Sequence, residues 1–255
     1  MKAVRTRKLL RRLPAVFCLA AVRLLLGVPG VCGEEGGPRP APIDPVKLKA
    51  IWEAEAKCLA AAWEITGGDA SKLVEAYVSA RGNYEALRST ITEKLRSLPQ
   101  TGESLQQMVE VGEKARLELK EALARDVGVE KTEKIMRILG QSSRSTFELD
   151  QMVGDLIVFK LPEDKRQKAI LSVLEYNGAL HEVMTEAIQA GMRQVPHDES
   201  EKAVVRYIEE NLRDKATKLT EALSKELAKL LSEEQMAAWK GKYARPFLGG
   251  GATPR

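Results

Sequence analysis

Between Tyr77 and Ala122 the apolar residues step by three and four: first Tyr77, Ala80, Tyr84, Leu87 and Ile91, then Leu105, Met108, Gly112, Ala115, Leu119 and Ala122. That step keeps side chains on one narrow stripe of an α-helix, whereas a strand face needs a period of two. The stripes are separated by Pro99 to Gly102, a segment that neither helix can cross undisturbed. Two helices of about 30 residues, each about 45 Å long, are therefore predicted to fold back on each other as an antiparallel hairpin with a coiled-coil-like seam.

The same period covers most of the chain. Asp44-Pro45 pairs a capping carboxylate with proline at the first helical position, and the apolar pattern runs from there to Ile65, before Thr66-Gly67-Gly68. Asp69 is placed to cap the next helix. Val129 to Phe159, broken by Gly140 and Ser142-Ser143, predicts two short helices. Pro162 opens a long helix to Gln194 with Ile170, Val173, Leu174, Met184 and Ile188 on its apolar face. Another from about Ser200 to Leu230 carries Val204, Ile208, Leu212, Leu219, Leu223 and Leu227, and Ser232 starts a last short one. The best strand candidate, Leu156-Ile157-Val158-Phe159, is brief and follows a helical period. The fold expected is all-α: extended antiparallel helical hairpins or a bundle. With 5% aromatic and 30% charged residues, a slender assembly with long exposed faces fits better than a thick globule.

The two ends differ from this middle. Lys2, Arg5, Arg7, Lys8, Arg11 and Arg12 precede an apolar stretch, Leu13 to Val31, without an acidic residue. This is the layout of a signal peptide over residues 1–33, and Val31 and Gly33 are small enough for a cut before Glu34. Pro14 and Arg23 interrupt the stretch, so removal is expected rather than a stable span. An uncleaved signal or a lipidated Cys32 would instead leave a membrane anchor. Residues 34–43, rich in Gly and Pro, read as a flexible linker, residues 44–245 as the helical domain, and residues 246–255 as a disordered tail. The helical domain divides naturally into sub-bundles at 44–126 and 129–245. The location expected is exported, periplasmic or extracellular.

Charge follows from this division. The whole chain carries +4, but residues 1–33 hold seven Lys and Arg and no acid, which leaves −3 without them. The basic excess thus resides in the targeting segment, and no nucleic-acid partner is expected. Cys18 and Cys32 also fall there. Cys58, among alanines between Trp52 and Trp63, is left either as a small buried hydrophobe or as one half of an intermolecular disulfide.

Chemistry is sparse. The histidines are His181 and His197, and the second sits in a Pro196-His197-Asp198 turn. His181 shares a helical face with Asn177 and Met184, which offers a nitrogen and a soft sulfur to a metal, but soft-metal sites require several converging ligands. A seam histidine bonded to Asn177 or to backbone is the simpler reading. Glu209-Glu210 and Glu233-Glu234 lie among Lys and Arg at helical spacing, as on a solvated face. There is no GxSxG, GxxxxGK[ST] or GxGxxG after a strand. No catalytic residue, metal ligand or cofactor is assigned, and the chain is not expected to be an enzyme.

Leu231-Ser232-Glu233-Glu234-Gln235 stands apart. Ser232 can accept from the Gln235 amide while the Gln235 side chain returns to the Ser232 amide, a capping box stapled by Leu231. Leu161-Pro162-Glu163-Asp164-Lys165 occupies a similar helix start, and Val129-Glu130-Lys131-Thr132 a more degenerate one. Through Leu231, Ser232 and Gln235 the chain resembles the LTxxQ family of bacterial periplasmic proteins, of the Spy and CpxP type. Ser232 replaces the Thr of the motif and keeps its hydroxyl; in the earlier copy Pro162 and Lys165 replace Thr and Gln. The resemblance implies a curved helical protein, often dimeric, that holds unfolded clients without ATP.

Three functions are thus expected. The first is an exported binding protein of the bacterial envelope for an unfolded client or another protein. The alternatives are a coiled-coil-like spacer or homo-oligomerisation module, and a periplasmic metal-sensing domain centred on His181.

Overall fold

The computed structural model describes residues 43–97, 102–140, 143–194 and 201–243. The expected signal segment, the linker apart from Ile43, the tail, Cys32 and His197 lie outside them. Among the described residues there are eight α-helices and no strand: α1 Pro45–Ala62, α2 Gly67–Ser97, α3 Gly102–Val127, α4 Val129–Leu139, α5 Ser143–Val158, α6 Glu163–Gln194, α7 Glu201–Ala228 and α8 Glu233–Tyr243. The protein is all-α, and Leu156-Ile157-Val158 belongs to a helix rather than to a strand.

Local chemistry explains most boundaries. Asp44 Oδ1 accepts from the amides of Val46 at 2.8 Å and Lys47 at 3.3 Å, with Pro45 beginning α1. The other end of α1 departs from the sequence reading, which carried the helix on to Ile65. It stops at Ala62 because Glu64 turns left-handed at φ 55°. The Glu64 amide then donates to Ala61 O at 3.1 Å and the Ile65 amide to Ala60 O at 2.9 Å, the Schellman pair with glutamate where glycine is usual. Ile65 continued the apolar pattern because it folds back onto the core after the turn. Gly67, at φ 61°, begins α2, so Asp69 lies inside its first turn rather than capping it. Lys160, also left-handed at φ 51°, separates α5 from α6 and directs Leu161 into the core.

The packing is organised around α1. It lies against α2, α5 and α6; α2 pairs with α3, α6 with α7, and α4 joins α3 to α6. α2 and α3, like α6 and α7, are long neighbours in sequence that pack on each other, as the hairpin reading required. Of the predicted stripes, Tyr77, Ala80, Tyr84, Ala115 and Leu119 are buried and Leu87 and Ala122 half-buried. Ile170, Val173, Leu174, Met184 and Ile188 of α6 are buried, as are Leu212, Leu223 and Leu227 of α7. One hydrophobic cluster takes residues from α1 through α8, including Leu59, Tyr77, Leu123, Ile135, Leu156, Leu174, Leu227 and Trp239. Each such side chain contributes about 1.5–3 kcal/mol on leaving water. Further along the α6–α7 hairpin, Leu180, Met184, Ala187, Ile188, Leu212 and Ala216 are buried outside that cluster. Among the described residues no helix is long and apolar enough to cross a membrane.

Candidate functional site

Charged side chains in the middle of a helical core are costly unless paired, and among the described residues this core holds three. Glu55 of α1, Arg81 of α2 and Asp150 of α5 are each no more than 2% exposed. Arg81 ion-pairs with Asp150 through Nη2 and Oδ1. The Trp52 indole N–H donates to the same Oδ1 at 3.0 Å. The Arg81 guanidinium also lies over the Trp52 ring, 5.4 Å from its centroid, where the ring face attracts a cation. Tyr77 donates its hydroxyl to Glu55 Oε2 at 2.7 Å. Glu55 Oε1 and Arg81 Nε find no hydrogen-bond partner among the described residues.

The electrostatics follow from this arrangement. Burial pushes the Glu55 carboxyl up to about 7; Asp150 adds to the rise, while Arg81 and the Tyr77 hydroxyl oppose it without overcoming it. Burial also acts against the charge on Arg81, but Asp150, Tyr77 and Glu55 outweigh it and hold the guanidinium protonated. Tyr77 is held well above the ordinary phenol range, first by burial and then by Glu55. At neutral pH the cluster therefore contains a firm ion pair, Arg81–Asp150, beside an acid close to its titration midpoint.

Read from the sequence, Glu209-Glu210 and Glu233-Glu234 fall on a solvated face, and this cluster is not singled out. A signal was present. Arg81 stands four residues after Tyr77 and three before Tyr84, and Glu55 three after Trp52 and four before Leu59. Those positions share a helical face with buried aromatic and aliphatic side chains.

His181 occupies a second buried polar position, 4% exposed, with Asn177 and Met184 buried on the same face of α6. Asn177 does not bond to the imidazole: its Nδ2 donates to Ile138 O at 2.7 Å, covering a carbonyl near the end of α4. The ring packs against Gly140, where an added methyl would stand 2.2 Å from Cδ2. His181 Nε2 has no partner among the described residues. Burial, helped by the charge of Arg116, lowers the imidazole to about 4, so it is neutral at physiological pH. No three His, Cys, Asp or Glu side chains among the described residues are grouped to hold a metal ion.

Cys58 is buried, 2% exposed, and burial pushes its thiol up to about 12. It lines a cavity of about 200 Å³ between α1, α5 and α6, with Ala54, Ile157 and Ile170 as apolar walls and Lys57, Glu163 and Arg166 among its charged residues. Glu55, Arg81, Asp150 and His181 do not line it.

The C-terminal motif is built as its chemistry required. The Ser232 amide donates to Gln235 Oε1 at 2.9 Å, and the Gln235 amide to Ser232 Oγ at 3.2 Å. Gln235 does more than cap: its Nε2 donates to Phe159 O at 2.9 Å, two residues before the earlier Leu-Pro copy. Leu161 and Leu231, the leucines of the two copies, lie in the same buried cluster. Helix α8 is held to the end of α5 a second time, through Asp155, which accepts from Tyr243 at 2.7 Å and from Lys242 at 2.9 Å. Trp239 is buried beside Tyr243, ring centroids 4.4 Å apart. At the third start, Thr132 instead donates to Gly128 O at 2.8 Å.

Compared with known proteins, the chain matches no family model, no curated protein and no solved structure.

Proposed function

We propose that this chain is an exported helical binding protein of the bacterial cell envelope that holds an unfolded or partly folded polypeptide without catalysis. The observation that carries the reading is the reciprocal Ser232–Gln235 capping box, with Gln235 reaching across to Phe159 beside Leu161-Pro162. A capping box needs no such cross-contact for its own helix. Its presence gives the two motif copies a joint structural task, in keeping with the likeness to the Spy and CpxP type. The basic then apolar order of residues 1–31 supports export.

The buried ionisable groups favour binding over catalysis. Perturbed acids and bases are active-site candidates when they sit in a cleft, but Glu55 is 0% and His181 4% exposed. A spacer built by pairing seams between chains is less well supported, because Tyr77, Tyr84, Ala115 and Leu119 are already buried within the chain's own packing. The metal-sensing alternative is less well supported, because no three His, Cys, Asp or Glu side chains among the described residues are grouped to hold a metal ion.

Sedimentation of the chain from residue 34, alone and with a reduced, unfolding client, separates these readings. The binding role predicts a small particle alone and a larger, discrete complex with client. An extended multimer that leaves the client free would replace it with the spacer.

A further inference from the structure

Three helices converge on Glu55, and the cation they bring is already engaged. Arg81, with the Trp52 indole, binds Asp150 Oδ1. Glu55 is left with the Tyr77 hydroxyl on Oε2 and with an Oε1 that has no partner among the described residues. A neutral carboxylic acid is tolerable there; a carboxylate sealed from water and held by one neutral donor is not.

We propose that Glu55 is a proton-operated latch, which seats α1 against α2 and α5 when it carries its proton and loosens that seat when it loses it. In the closed state one guanidinium faces one carboxylate and one neutral acid. Loss of the proton sets two carboxylates around the same guanidinium in a dry site, and the strain falls on the helix that carries Glu55. α1 also carries Trp52, which covers Arg81, and Cys58, which lines the cavity against α5 and α6. Loosening α1 therefore opens the centre of the packing rather than its edge.

The groups around the latch set its direction. From α2, Arg81 and the Tyr77 hydroxyl favour the ionised form; from α5, Asp150 opposes it. Glu85, half-buried one turn along α2, bears on Arg81. On the α6 side, Arg166 bears on Cys58, one turn along α1 from Glu55. Burial outweighs these neighbours and brings the titration to about pH 7. His181, near 4, and Cys58, near 12, are silent around that value. The latch stands whether or not the chain holds a client.

Backbone amide hydrogen exchange of the full chain at about pH 5.5 and about pH 8.5, corrected for intrinsic exchange, tests it. If opening frees Glu55 from the site, the opening equilibrium of residues 51–60 rises about thirtyfold across that interval. Glu55→Gln cannot ionise and should abolish the rise. Asp150→Asn frees Arg81 to pair with Glu55, which then stays ionised at both pH values, and should reduce the rise to less than about threefold. Protection of α1 that is equal at both pH values in the wild-type chain would overturn the latch. So would a rise that persists in Glu55→Gln or, should that variant not fold, in Asp150→Asn.

Discussion

Gly140 ends α4 at φ 71° and ψ −167°, a region almost confined to glycine, and a side chain there costs about 1–3 kcal/mol in backbone strain. The neighbourhood adds a second cost. A methyl at this position would lie 2.2 Å from His181 Cδ2 and 2.3 Å from Cγ, and forcing extra volume into a packed core costs about 1–3 kcal/mol. The imidazole, 4% exposed on the long α6 helix, has little room to step aside. Gly140→Ala should therefore lose about 4 kcal/mol of unfolding free energy, a large part of a typical domain's stability. The two costs can be separated. His181→Ala alone should lose about 2–3 kcal/mol through the cavity it leaves. In the double variant the clash is gone while the strained backbone remains, so the double loss should fall short of the sum of the single losses by about 2 kcal/mol. Urea unfolding followed by helical circular dichroism at neutral pH measures all four species. A Gly140→Ala variant within about 1 kcal/mol of wild type, or strictly additive losses, would refute the argument.

Two other outcomes follow from the polar contacts of His181 and Gln235. His181 has a folded pKa of about 4, below its ordinary value of 6.5, so the unfolded chain takes up the proton first. Its contribution is complete above pH 6.5 and is lost as pH falls through about 4, a change of about 3 kcal/mol; the difference in stability between wild type and His181→Phe, tracked by urea unfolding across that window, should show this slope. Gln235→Ala removes both the return bond to Ser232 and the tie to Phe159 O and should lower the chemical-denaturation free energy by about 2 kcal/mol, whereas Glu234→Ala, exposed beside it, should change it by less than about 0.5 kcal/mol.

The legible part of the fold was the part governed by periodicity and punctuation. Pro162 and Gln194 bracketed α6, Gly140 the end of α4, and Ser232 the start of α8, because proline, glycine and capping residues act through local backbone chemistry. Ile65 misled because a residue that returns to the core after a Schellman turn cannot be told from one more helical turn by spacing alone. The capping box was legible for the same local reason, but the reach of Gln235 to Phe159 was not, since it joins residues 76 positions apart. The Glu55–Arg81–Asp150 cluster depends on three helices meeting. Its positions on apolar stripes were visible, whereas which charge would be paired and which left neutral is decided by tertiary contacts.

The central claim is that the chain holds unfolded polypeptide. Light scattering from a reduced, aggregating client, followed with increasing amounts of the chain from residue 34 and without nucleotide, tests it most directly. The account predicts that scattering is suppressed near equimolar ratio; aggregation that proceeds unchanged at about tenfold excess would contradict it.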